Sequence, residues 1–237
     1  MFTFIPSALA EDADAETASS WFETAFEKFG EFPVWGWIIV AVLLIGGFAA
    51  YRLLKGEHKT VWNARTMALG ALCMALSCVL SMIRLWQMPQ GGSVTPASML
   101  PLMLFAYVYG AGPGMALGAL YGVLQFILNP WIVSVPQVLL DYPVAFGMLG
   151  LAGLFGHMKN DLAGLTMGVV VASAGRFLAA LASGVVFFAD YAAGSGLSPL
   201  VYSIVYNGTY MGPECIICLV LVLMMGPRLV REMRKNK

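Results

Sequence analysis

Three ionisable residues, Asp141, Arg176 and Glu214, stand inside long apolar runs of the chain. A charge held in hydrocarbon is costly, so each is a candidate for binding a ligand, a proton or a partner charge. Arg176 lies about 12 residues from the outer end of its run and Glu214 about 13, which puts both about 18–20 Å deep at 1.5 Å per residue. They are expected to pair, as a tie between two helices or as part of a site. Asp141 sits about four residues into its own run, roughly 6 Å below the outer interface, with no basic neighbour at that depth. A carboxylate without a protein cation suits a cationic or amine-bearing ligand. Trp131, Tyr142, Phe187, Phe188, Tyr202 and Asn207 fall at the same outer-side depth. Aromatic faces attract a desolvated cation by up to about 2 kcal/mol each. An interfacial aromatic belt has the same composition, and Asp141 tips the reading towards a pocket.

Helical spacing groups these residues further. Arg176, Ala180, Ser183 and Phe187 share one face, and Asn207, Tyr210 and Glu214 share another. Two polar stripes rising from mid-membrane describe a cavity that opens to the outside. No phosphate-binding GxxxxGK[ST] motif, HExxH pair or facing Ser/His pair is present. The chain therefore lacks the usual means of ATP hydrolysis or intramembrane proteolysis, and no metal site, cofactor or catalytic residue is expected. His58 and His157 fall in expected cytoplasmic loops, and Cys215-Ile-Ile-Cys218 reads as small-residue filler in an apolar helix.

The elements that hold these residues follow from composition. Of 237 residues, 59% are apolar and 11% charged, against about 45–50% and about 25% in an average soluble domain. The excess must face lipid, and it suffices for about seven spanning helices. Thirteen basic residues balance thirteen acidic ones, so no charge excess recommends nucleic acid. Four cysteines, all in apolar runs, exclude a disulfide scaffold.

The chain divides into an acidic, amphipathic segment 1–33, a spanning helix 34–54, a basic linker 55–65, a six-helix membrane core 66–227 and a basic tail 228–237. Within the first segment Trp21, Phe22, Ala25, Phe26 and Phe29 form one face, suited to the membrane surface or to packing on the first span. Core spans are expected over 66–85, 98–110, 113–128, 137–156, 163–188 and 201–226. With 52–65 in the cytoplasm, ten of the thirteen Lys and Arg residues fall inside. This puts the N-terminus outside and the C-terminus in the cytoplasm, as a multi-pass protein of the cell membrane. The external loop 86–97, with Pro89, Gly91, Gly92 and Pro96, suits a lid or a passive connection. Ala64, Ala68, Ala71 and Ala75 form a small-residue face on the second span, suited to internal packing or to docking another helix.

Several segments in register resemble the ThiT/YuaJ family, thiamine-binding S components of energy-coupling factor transporters. They are Met88-Pro89-Gln90-Gly91-Gly92-Ser93-Val94-Thr95, Ser98-Met99-Leu100-Pro101, Gln137-Val138-Leu139-Leu140-Asp141-Tyr142-Pro143, Gly175-Arg176-Phe177-Leu178, Ser183-Gly184-Val185 and Tyr202-Ser203-Ile204-Val205-Tyr206-Asn207-Gly208. The likeness covers about residues 66–226, and residues 1–60 have no counterpart in the usual six-helix core. It implies an all-α integral membrane fold, a six-helix core plus one additional N-terminal helix. It implies capture of thiamine from outside, with transport driven by one membrane T component and two ATPase subunits. Asp141 would meet the aminopyrimidine; Tyr202 and Asn207 would contact ligand; Trp131 and Tyr142 would be aromatic pocket positions, and Arg176 a basic one. Gly184 would allow close backbone approach, Trp86, Gln90, Gly91 and Gly92 would belong to the lid, and Ala71 and Ala75 would dock the T component. Two departures stand out: Ala180 replaces the usual His, and Phe188 a frequent Trp. Each weakens one ligand contact, which implies lower affinity or a related ligand such as a pyrimidine precursor. Helix geometry favours Phe187 in the pocket and the resemblance favours Phe188, so both are candidates. An intramembrane enzyme would need a nucleophile or metal cluster, and a purely structural subunit would bind no small ligand.

Overall fold

A computed structural model describes residues 63–89, 91–188, 192 and 194–235. Segment 1–33, helix 34–54, residues 55–62 of the linker, and Gln90 of the lid lie outside the described residues. Six helical stretches follow one another: α1 (Ala64–Met82), α2 (Leu100–Tyr109), α3 (Ala111–Leu128), α4 (Val135–Phe155), α5 (Asp161–Phe187) and α6 (Pro199–Lys235). Between α1 and α2 stands a short antiparallel hairpin, β1 (Trp86–Gln87) with β2 (Ser93–Val94), pairing Trp86 with Val94. Asn63 caps α1, its side chain accepting from Thr66 N at 2.8 Å, and Asn160 caps α5 in the same way. Each cap satisfies amide groups that the helix start leaves open.

Among the described residues five helices are long and apolar enough to cross a membrane. The exception is α2. Its ten residues are all buried, and at about 15 Å they reach half the hydrocarbon thickness. The sequence reading expects a span there; instead α2 is the central element, packed against α1, α3, α4, α5 and α6. Gly110, at φ 100°, makes the corner from α2 into α3, a left-handed conformation that glycine adopts without penalty.

Close helix packing falls where the sequence reading does not look for it. A Cβ on Gly118 would strike the Phe146 carbonyl, and one on Gly122 the Tyr142 carbonyl. Helices α3 and α4 therefore touch backbone to backbone, as small residues permit. The face of Ala64, Ala68, Ala71 and Ala75 on α1 is exposed instead, beside Met67 and Leu72 at 60% and 65% exposure. It takes no part in internal packing.

Residues 228–235 of the basic tail continue α6 without a break. Helix α6 runs on through Lys235, past Pro213 and Pro227. Its end is held down by the fully buried Val230 and by Arg234, which donates to Asp161 Oδ2 at 2.9 Å and to Gly156 O at 3.3 Å. Tyr107 of α2 donates to the other oxygen of the same carboxylate at 3.1 Å.

Candidate functional site

The first functional side chain is positioned by an irregular stretch of α4. The helix starts at the Ser134 cap, whose hydroxyl accepts from Gln137 N, and widens into a π turn over Leu140–Val144. Pro143 within that turn has no N–H to give to an α-type ladder, and the Ala145 N–H reaches back five residues to Leu140 O. The wider turn carries one extra residue and re-aims the side chains before it. Asp141 sits on this turn and lines a cavity walled by α1, α3, α4, α5, α6 and the hairpin loop.

The connection before α4 folds onto the same turn. Tyr142 hydroxyl accepts from Trp131 N at 2.8 Å and donates to Asn129 O at 2.9 Å. Gln137 is 1% exposed; its Oε1 accepts from Val133 N at 3.0 Å, and its Nε2 donates to Asp141 Oδ2 at 2.5 Å and to Trp131 O at 3.2 Å. Trp131 and Asp141 are thus held relative to each other by one buried amide.

Helices α5 and α6 supply the opposite wall. Arg176 Nη1 lies 3.9 Å from Glu214 Oε2. The Thr95 and Ser98 hydroxyls donate to Glu214 Oε1, the latter at 2.9 Å. The Arg176 guanidinium carbon stands 4.2 Å from the Phe146 ring centroid, a cation–π contact. Arg176 Nε and Nη1 and Trp131 Nε1 are buried with no hydrogen-bond partner among the described residues. Buried donors are normally satisfied, and a polar cavity is where a ligand or water acceptor would meet them. Above them Tyr202, Tyr206 and Tyr210 form a ladder, with ring centroids 6.1 and 5.8 Å apart. The hairpin loop closes over this ladder: Gly92 N donates to the Tyr206 hydroxyl at 3.1 Å, and a Cβ on Gly92 would press 2.8 Å from the Tyr210 ring.

Of the residues singled out from sequence, Trp131, Asp141, Tyr142, Arg176, Ala180, Gly184, Phe188, Tyr202 and Asn207 line this cavity, with Gly91, Gly92 and Glu214. Phe187 does not line it and Phe188 does, because the lining stripe on α5 runs every fourth residue, from Arg176 through Ala180 and Gly184 to Phe188. Trp86 is exposed on the hairpin and outside the cavity. Asp141 and Arg176, which the sequence reading separates by depth, line the same cavity. The π turn aims the carboxylate into the cavity whose wall the arginine shares. Asn207 also serves helix packing: Nδ2 donates to Ser203 O at 3.0 Å and to Ala180 O at 3.4 Å, and Oδ1 accepts from the Tyr210 hydroxyl. Gly184 leaves room for Ser203.

Sequence reasoning missed Gln137, Phe146 and Tyr206. Gln137 was legible one turn before Asp141, and Tyr206 one turn after Tyr202; Phe146 lies past the π turn, where regular helical spacing fails.

The model of the family described as thiamine transporter protein (Thia_YuaJ) matches residues 67–233, a stretch that holds every lining residue named above. The chain belongs to this family. Its members are transporters and not enzymes, and this member is a multi-pass membrane protein. It is 36% identical over 159 residues to the thiamine transporter ThiT of Bacillus subtilis (strain 168), covering 61% of this chain and 82% of that protein. The thiamine transporter ThiT of Lacticaseibacillus paracasei is 28% identical over 124 residues, 46% of this chain and 61% of that protein. Among solved structures, ThiT from Listeria monocytogenes superposes with a TM-score of 0.62 at 22% identity, covering 70% of this chain and 96% of that one. That likeness establishes the all-helical fold.

Proposed function

We propose that this family member is the thiamine-binding subunit of an uptake system, taking thiamine from the outer side and handing it to an ATP-driven energy-coupling module. The supporting observation is the pairing of opposite needs in one cavity: Asp141 offers a carboxylate, and Arg176 offers buried donors without partners. An aminopyrimidine carries the complement, an amine to donate and a ring nitrogen to accept. Trp131, Phe188 and the tyrosine ladder give a thiazolium ring faces to stack on, favourable by about 0.5–2 kcal/mol each. The hairpin loop with Gly91 and Gly92 is the lid. Residues 66–227 form the binding core and 34–54 an added span, with the N-terminus outside and the C-terminus in the cytoplasm. The exposed Ala71 and Ala75 face of α1 is where the T component docks, and two ATPase subunits complete the module. The second reading is a binding subunit for another amine-bearing vitamin or a pyrimidine precursor of thiamine. Ala180 favours it, since alanine leaves space and no hydrogen bond at its place on the cavity wall.

Competition decides between them. Purified protein is loaded with labelled thiamine and challenged with unlabelled thiamine, the isolated aminopyrimidine and the isolated thiazolium. Thiamine displacing at least 10-fold better than either half is the expected result. Equal displacement by the aminopyrimidine alone would favour the precursor, and no labelled binding would overturn both readings.

A further inference from the structure

Gln137 stands one turn before Asp141 on α4, with every polar atom of its amide employed. Oε1 accepts from Val133 N at 3.0 Å, while Nε2 donates to Asp141 Oδ2 at 2.5 Å and to Trp131 O at 3.2 Å. Those three contacts fix which way the amide points. Turned over, its oxygen would face a carboxylate and a carbonyl, and its NH2 would face the Val133 N–H, so all three bonds would be lost. At 1% exposure, water cannot replace them.

We propose that Gln137 is the specificity-determining positioning residue of the site. It gives Asp141 Oδ2 a donor from the preceding turn and so holds the carboxylate as an acceptor towards the cavity, selecting ligands that present an N–H there over those that present a carbonyl. Through Trp131 O the same amide ties the carboxylate to the Trp131 loop, so that both meet the ligand in one fixed relation. Ser183 and Arg176 are also close to Asp141, but neither is tied to the Trp131 loop. The inference rests on the reading of Asp141 as the group that meets the ligand's amine.

The test compares thiamine with its 4-oxo analogue, in which a carbonyl replaces the ring amine, on full-length wild type, Gln137→Glu and Gln137→Leu. Glutamate keeps the size and the acceptor for Val133 N but has no amide N–H for Asp141; leucine keeps only the volume. Thermal melting in detergent confirms which variants are folded, and either one suffices. Wild type is expected to prefer thiamine by at least about 10-fold, the worth of one charge-assisted hydrogen bond. In either variant that ratio is expected to fall at least about 3-fold, because the analogue never used the contact that is lost. A structural role alone would weaken both ligands by the same factor and leave the ratio unchanged, and that result would overturn the proposal. Wild type binding neither compound would overturn the thiamine reading and this one with it. Wild type binding thiamine with an unchanged variant ratio would overturn this one alone.

Discussion

Arg176 and Glu214 show how a charged pair persists inside an apolar bundle. Glu214 is 1% exposed and accepts from Thr95 and Ser98, while Arg176 stacks on Phe146. Their separation of 3.9 Å is an ion pair without an ideal hydrogen bond, which leaves guanidinium donors for the cavity. Removing one partner strands the other, at about 3–5 kcal/mol for a buried pair, whereas removing both costs far less. Melting temperatures in detergent should therefore fall further for Arg176→Met or Glu214→Gln alone than for the double variant; additive losses would mean the two do not interact. The pair was legible in the sequence because both residues count to the same depth along their helices. The hydroxyls of Thr95 and Ser98 were not, since they come from the loop after the hairpin, where no periodicity points inward. Asn207 looked like a ligand contact from its type and place. It lines the cavity and its amide also bonds Ser203 and Ala180, a second use that spacing alone does not reveal.

At the scale of elements, the six apolar segments were readable to within a few residues at most ends, because lipid-facing helices carry long apolar runs. Three features were not readable. The brevity of α2 follows from its central place, and a fully buried helix has the same composition as a lipid-facing one. The extension of α6 depends on Arg234 meeting Asp161, a contact between residues distant in the chain. The π turn at Pro143 adds a residue that no sequence period records. Deleting one residue inside Leu140–Val144 should restore a regular helix and rotate Asp141 and Gln137 by about 100° relative to the core. Thiamine binding should then be lost while a monodisperse, helical protein remains; retained binding would show that the widened turn does not aim the site. Gly122→Ala tests the same region from α3. Its Cβ would meet the Tyr142 backbone, and overpacking of this kind costs about 1–3 kcal/mol, so a lower melting temperature should come together with weaker binding.

For the whole molecule, one cavity draws on five of the six described helices and the hairpin, so ligand binding and the relative placement of the helices are linked. A ligand stabilises the state that binds it by an amount set by its concentration over its Kd, about 2.7 kcal/mol at a 100-fold excess. The α1 face with Ala71 and Ala75 lies on the surface of the bundle and lines no part of the cavity. Replacing both alanines by phenylalanine should leave thiamine affinity in detergent within about 2-fold and abolish uptake by cells that supply the coupling module. Uptake at the wild-type rate would place the docking surface elsewhere. Such a division of labour, a binding cavity on one side of α1 and an exposed small-residue face on the other, is what the proposed role as a binding subunit requires.

The central claim is that Asp141 binds the amine of thiamine within this cavity. The most direct measurement is a thiamine titration followed by intrinsic tryptophan fluorescence, on wild type and Asp141→Asn in the same detergent. Trp131 lines the cavity and serves as the reporter. Saturable quenching in wild type, weakened at least about 10-fold in Asp141→Asn, is the predicted result, since a charge-assisted hydrogen bond contributes about 1.5–3 kcal/mol. Equal affinity in the two proteins, or a flat titration of folded wild type, would contradict the account.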